Sequence, residues 1–132
     1  MDEFEREAAR CVFVGIAGPT PSPEELELVR RGVGGVILFA RNVKEPAQVA
    51  DLSRHLKEAA PGPLLVSIDQ EGGRVQRLRA PFWTPWPTPR RLGQIDEKGG
   101  ILGLNGAAVA EKVGRLLARE LQIGRASCRG RV

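Results

Sequence analysis

Three apolar runs, the last broken only by Ser67, constrain this chain more than anything else in it: Cys11–Ala17, Val33–Ala40 and Leu64–Ile68. None alternates apolar with polar residues. A strand that is apolar at every position is covered on both faces, and such strands belong to parallel sheets with helices packed against them. The segments between the runs carry the matching signal. Ser22, Pro23 and Glu25 form the pattern of a capped helix start, Leu26 and Val29 mark its inner face, and Gly32 closes it. After a loop at Arg41–Lys44, Glu45-Pro46 opens a second helix, in which Val49, Leu52, Leu56 and Ala59 recur at helical spacing. The order strand, helix, strand, helix, strand predicts an α/β fold with right-handed crossovers.

The third strand ends abruptly in Asp69-Gln70-Glu71-Gly72-Gly73-Arg74-Val75-Gln76-Arg77. Two acids, two amides, two glycines and two arginines thus gather where the backbone leaves the sheet. That carboxyl edge is where α/β sheets bind ligands. The glycine pair permits positive φ or a close approach of backbone to a ligand. Asp69 is placed to accept hydrogen bonds, and Arg74 and Arg77 either recognise a substrate or brace the acids. A structural ion-pair cluster is the competing reading of the same nine residues.

The string DQEGGRVQR resembles the signature of the β-N-acetylhexosaminidase branch of glycoside hydrolase family 3. Gly34-Gly35-Val36-Ile37-Leu38-Phe39-Ala40-Arg41-Asn42 is similar to that family's second strand and loop, and Pro87-Thr88-Pro89 with Leu92-Gly93 to the segment after its third strand. The resemblance runs from about residue 10 to residue 122. It implies the N-terminal part, about three βα units, of a TIM (β/α)8 barrel, and an enzyme that removes terminal N-acetylglucosamine from β-linked glycans, typically cell-wall muropeptides. It also implies that Asp69 accepts hydrogen bonds from sugar hydroxyls and that Arg77 is a second substrate contact. Glu71, Gly72, Gly73 and Arg74 would brace the loop. The family's acid/base histidine and nucleophilic aspartate sit in later motifs that these 132 residues do not contain, so no catalytic residue is assigned and neither Asp69 nor Glu71 is the nucleophile. No metal or other cofactor is implied.

Three strands do not close a barrel, which takes eight strands and about 250 residues. Open sheet edges and an inner face without its opposite wall are therefore expected. The last ten residues, 123–132, resemble the translation of a sequencing adaptor and are expected to be non-native, leaving 1–122 as the family portion. The alternative is a small, non-catalytic α/β sugar-binding or interaction module complete at this length.

Other classes fit less well. No G-x-G-x-x-G or G-x-x-x-x-G-K-[ST] turn follows a strand, against a dinucleotide binder or P-loop enzyme. The net charge of +4 draws three of its charges from Arg125, Arg129 and Arg131, and no basic cluster is interleaved with aromatics, so no nucleic-acid partner is expected. The charged start, Met1 to Arg10, is no signal peptide and no run reaches membrane-span length, which makes the cytoplasm the expected compartment. Cys11 is read as core, His55 as a surface residue, and residues 2–10 as an uncapped exposed helix or frayed lead-in. Pro81–Pro89, with four prolines and three aromatics on either side of Thr84 and Thr88, is read as a rigid loop whose rings pin it to the body, although Trp83 or Trp86 could line a carbohydrate cleft. A long helix is expected from Ile101 to Leu121.

Overall fold

A computed structural model describes residues 2–122 of the chain. They divide into two compact units, one ending at Asp69 and the other beginning at Gln70. The expected non-native tail lies outside the described residues.

The first unit contains α1 (Glu3–Arg10), β1 (Phe13–Gly15), α2 (Pro23–Arg30), β2 (Gly35–Leu38), a 3-10 turn (Ala40–Asn42), α3 (Pro46–Ala59) and β3 (Leu65–Ile68). The three strands form a parallel sheet in the order β1-β2-β3, with Phe13 paired to Gly35 and Gly35 to Leu65. Because side chains alternate across a strand, Val14, Val36 and Val66 share one face and Phe13, Gly35 and Leu65 the other. The valine face is the covered one: Val36, Leu38 and Ile16 are buried, as are Val29 of α2 and Val49, Leu52 and Leu56 of α3. On the opposite face Phe13 is 45% exposed and Leu65 65%.

Local chemistry accounts for the helices. Ser22 accepts from the Glu25 amide while Glu25 accepts from the Ser22 amide, completing the expected capping box. The other oxygen of Glu25 takes the Ala17 amide at 2.7 Å, which ties α2 to the exit of β1. Two expectations fail at the N-terminus. Residues 3–10 are capped after all, by an Asp2/Glu5 capping box. That helix then runs on into Cys11, which serves as its C-cap and is exposed rather than core. β1 accordingly starts two residues later than the apolar run suggests. Gly34 receives the end of α1: its amide donates to Ala9 and Val12 carbonyls, and a β-carbon there would meet the Arg10 carbonyl oxygen.

The second unit contains a short antiparallel hairpin, β4 (Gln70–Gly72) and β5 (Val75–Gln76), followed by the proline-rich loop, α4 (Pro89–Glu97) and α5 (Gly106–Glu120). Neither the hairpin nor α4 was expected. α4 starts where Thr88 caps the Arg91 amide and Pro89 takes the first turn. The long helix begins at Gly106, not at Ile101. Gly100, Leu102 and Gly103 all have positive φ, Ile101 and Leu104 bridge each other, and Asn105 supplies the cap.

Candidate functional site

Parallel pairing brings the exits of β1, β2 and β3 to one edge of the sheet, since Leu38 stands opposite Ile68 and Gly15 opposite Ile37. A buried amide organises this edge. Asn42 is fully buried, and its Nδ2 donates to the Ile16 carbonyl at 2.9 Å and the Gly18 carbonyl at 2.8 Å, while its Oδ1 accepts the Phe39 amide at 2.8 Å. One side chain thus satisfies three backbone groups on two strand exits. Arg41 lies over the Phe39 ring at 4.6 Å and donates its Nε to Ile16. Gly15 leaves the room they need: a β-carbon there would be 3.3 Å from the Arg41 guanidinium and 3.4 Å from Phe39. Asp69 comes directly after Ile68 at the tip of β3 and is half-buried.

In the second unit the motif folds back on itself. Gly72 and Gly73 take φ of 88° and 58°, the left-handed conformations their residue type allows. The turn they make has backbone packed against it. The Gly73 amide donates to the Trp86 carbonyl at 2.9 Å, and a β-carbon on Gly72 would lie 2.2 Å from the Pro87 carbonyl oxygen. Two buried glutamines fix the chain on either side of this turn. Gln70 accepts the amides of Arg77 and Leu78 at 2.9 and 3.1 Å and donates to the Leu78 carbonyl. Gln76 donates to the Leu78 and Thr84 carbonyls and accepts the Trp86 amide at 3.0 Å.

Arg77 is half-buried on this frame, whereas the side chains of Glu71 and Arg74 are exposed and Arg74 contributes its carbonyl, to Arg79. Trp83 and Trp86 are buried, so their rings hold the loop rather than open toward solvent, while Phe82, edge-on to Trp83, remains 53% exposed. His55 is exposed on α3. Sequence reasoning missed Asn42, Gln70 and Gln76. The available signal was an amide set among apolar or charged neighbours at the end of a strand.

A cavity of about 890 Å³ opens at the opposite edge of the sheet, between α1 and the segments leading into β2 and β3. Its Arg10, Arg30 and Arg31 are engaged by glutamates of their own helices. In parallel α/β sheets ligands bind at the other edge, where the strands end. No group of histidine, cysteine or acidic side chains among the described residues could hold a metal ion, and no helix among them is long and apolar enough to cross a membrane.

Known proteins similar to this chain cover most of its described residues. A beta-hexosaminidase of Nitrosomonas eutropha is 42% identical over 112 residues, which cover 84% of this chain and 31% of that protein. One from Xylella fastidiosa is 51% identical over 68 residues, or 51% of this chain and 20% of the relative. Among solved structures, NagZ from Neisseria gonorrhoeae, in complex with N-trifluoroacetyl-D-glucosamine, superimposes with a TM-score of 0.77 at 36% identity, over 86% of this chain and 33% of its own. A glycoside hydrolase family 3 beta-N-acetylglucosaminidase from Paenibacillus gives a TM-score of 0.77 at 33% identity, over 93% of this chain and 22% of its own. The chain therefore spans about a third or less of the length of these relatives. The family model described as the glycosyl hydrolase family 3 N terminal domain matches residues 13–124, and the chain belongs to that family, as the N-terminal part of its (β/α)8 barrel.

Proposed function

We propose that the complete protein is a retaining exo-glycosidase that removes terminal β-linked N-acetylglucosamine, and that residues 1–122 supply its sugar grip. The carrying observation is the placement of Asp69 directly after β3, on the edge that Asn42 organises, with the glycine motif following it in sequence. Retaining hydrolysis needs a nucleophilic carboxylate, an acid/base partner and groups that hold the sugar hydroxyls. Asp69 and Arg77 belong to the last class: an ionised carboxylate accepts from hydroxyls, and a guanidinium donates to hydroxyl or carbonyl oxygens. Gly72 and Gly73 brace the loop through the backbone, and Glu71 and Arg74 take the same bracing role once the rest of the protein is present. The catalytic pair comes from sequence beyond this portion.

The substrate class is taken from the relatives, which are named beta-hexosaminidases or N-acetylglucosaminidases. Peptidoglycan fragments handled in the cytoplasm are the proposed source of that sugar. The test is hydrolysis of a chromogenic N-acetylglucosaminide. The 132-residue chain is expected to show none, and the protein read from the gene through and beyond codon 122 is expected to turn it over. An extended protein with no turnover on any β-N-acetylhexosaminide would end this reading.

A further inference from the structure

The motif in the second unit is held by a carboxylate that lies far from it in sequence. Glu120, the last residue of α5, is half-buried. One of its oxygens accepts from both the amide and the hydroxyl of Thr84, and the other accepts the Trp86 indole N–H at 2.8 Å. Thr84 and Trp86 belong to the proline-rich loop, and that same loop backs the glycine turn. The Trp86 carbonyl takes the Gly73 amide, the Trp86 amide goes to Gln76, and the Thr84 carbonyl takes Gln76 Nε2 at 2.6 Å. Bonds from the loop therefore reach the chain on both sides of Arg74, at Gly73 and at Gln76. Gln76 is the residue before Arg77.

We propose that Glu120 is a positioning residue for the sugar grip: through Thr84 and Trp86 it fixes the loop against which the Gly72-Gly73 turn and Arg77 are set, and it touches no substrate itself. This rests on the reading of Arg77 as a sugar contact. A carboxylate is required because three donors converge on it, and only an ionised acid offers acceptors at both oxygens. Glutamine cannot replace it. In either orientation its NH2 group faces a donor, the Trp86 indole in one and the Thr84 amide in the other.

The experiment uses the protein extended beyond codon 122 and compares Glu120→Gln, Trp86→Phe and the double variant. Two quantities are read: KM against kcat on the chromogenic N-acetylglucosaminide, and hydrogen exchange of residues 70–79. Glu120→Gln is expected to raise KM about tenfold with kcat within about twofold, the pattern of weakened substrate binding, and to speed exchange in 70–79 while β1–β3 stay protected. In the Trp86→Phe background, where the indole donor is gone, Glu120→Gln should cost less than it does alone. Unchanged KM with unchanged exchange in 70–79 would overturn the proposal. So would a loss of kcat at constant KM with exchange raised across the whole protein, because that is general destabilisation. If the extended wild-type protein does not hydrolyse the substrate, the sugar reading fails, and with it the positioning role. The exchange data then report separately whether Glu120 holds the loop.

Discussion

The ring of Phe13 lies across Gly35, its partner on the neighbouring strand: a β-carbon built on Gly35 would stand 2.3 Å from Phe13 Cε1. A large side chain over an empty position is how barrel interiors interdigitate in layers. It also makes the two residues one packing unit. In the protein extended beyond codon 122, Gly35→Ala is expected to lower stability by about 1–3 kcal/mol, the usual cost of overpacking. Phe13→Leu in the same protein should recover part of that loss. Urea unfolding of the two single variants and the double measures the coupling, and strictly additive costs would show that the ring does not depend on the glycine.

Glycine matters for a different reason in the motif. At Gly72 the obstacle is the backbone carbonyl of Pro87 at 2.2 Å, and φ is 88°, so no rotamer change can relieve a methyl group. Gly72→Ala is expected to cost more than about 3 kcal/mol locally, since strain at positive φ adds to a backbone collision, and to abolish the turn. Gly93, inside α4, has nothing within 4 Å of its β-carbon position. Gly93→Ala is expected to stabilise by up to about 1 kcal/mol through helix propensity alone. Thermal unfolding with near-ultraviolet circular dichroism from Trp86 separates the two, and equal effects would contradict the contact geometry.

How far the sequence reveals this structure depends on how local each signal is. The three strands, the α2 capping box and the apolar stripe of α3 are legible because period and caps are encoded within about a dozen residues. Val29, Val36, Leu52 and Leu56 are buried as their spacing requires. Cys11 misleads because a helix C-cap and the first residue of an apolar run look alike when the neighbour is Val12. α4 escapes notice because it has only Leu92 and Ile95 among charged residues, although Thr88-Pro89 carries its start. Asn42, Gln70 and Gln76 offered only the faint signal of an amide at a strand end, and Glu120 offered none. Their roles are set by carbonyls and amides up to 36 residues away in the chain, as with Thr84 and Glu120, and no periodicity records such partners. In the candidate site, the motif was therefore visible but the frame beneath it was not.

The proposed grip separates binding from chemistry. In the extended protein, Asp69→Asn keeps the shape and removes the charge, and Arg77→Lys keeps the charge and removes the planar fork. Each is expected to raise KM by about tenfold or more, in line with the loss of a charge-assisted hydrogen bond. With the nucleophile elsewhere, as proposed, trapping with a slow fluorinated glycoside should still yield the covalent glycosyl-enzyme in both variants. Loss of trapping in Asp69→Asn with normal substrate affinity would recast Asp69 as the nucleophile. Glu71→Gln, at an exposed position, is expected to leave trapping intact.

The 132-residue chain by itself leaves part of its sheet uncovered. β1 and β3 are the outer strands of the three-stranded sheet, and on its less covered face Phe13 and Leu65 stand 45% and 65% exposed. Unpaired strand edges beside apolar side chains template association with other chains. Sedimentation velocity is therefore expected to show concentration-dependent self-association of the isolated chain. Leu65→Lys should reduce it by placing a charge on the exposed row while sparing the buried valine face. The protein extended beyond codon 122 is expected to sediment without that dependence on residue 65. A 132-residue chain that stays monomeric and unfolds in one cooperative step would instead favour a self-sufficient module, because only a sheet that needs no further strands can leave Phe13 and Leu65 in water at so little cost.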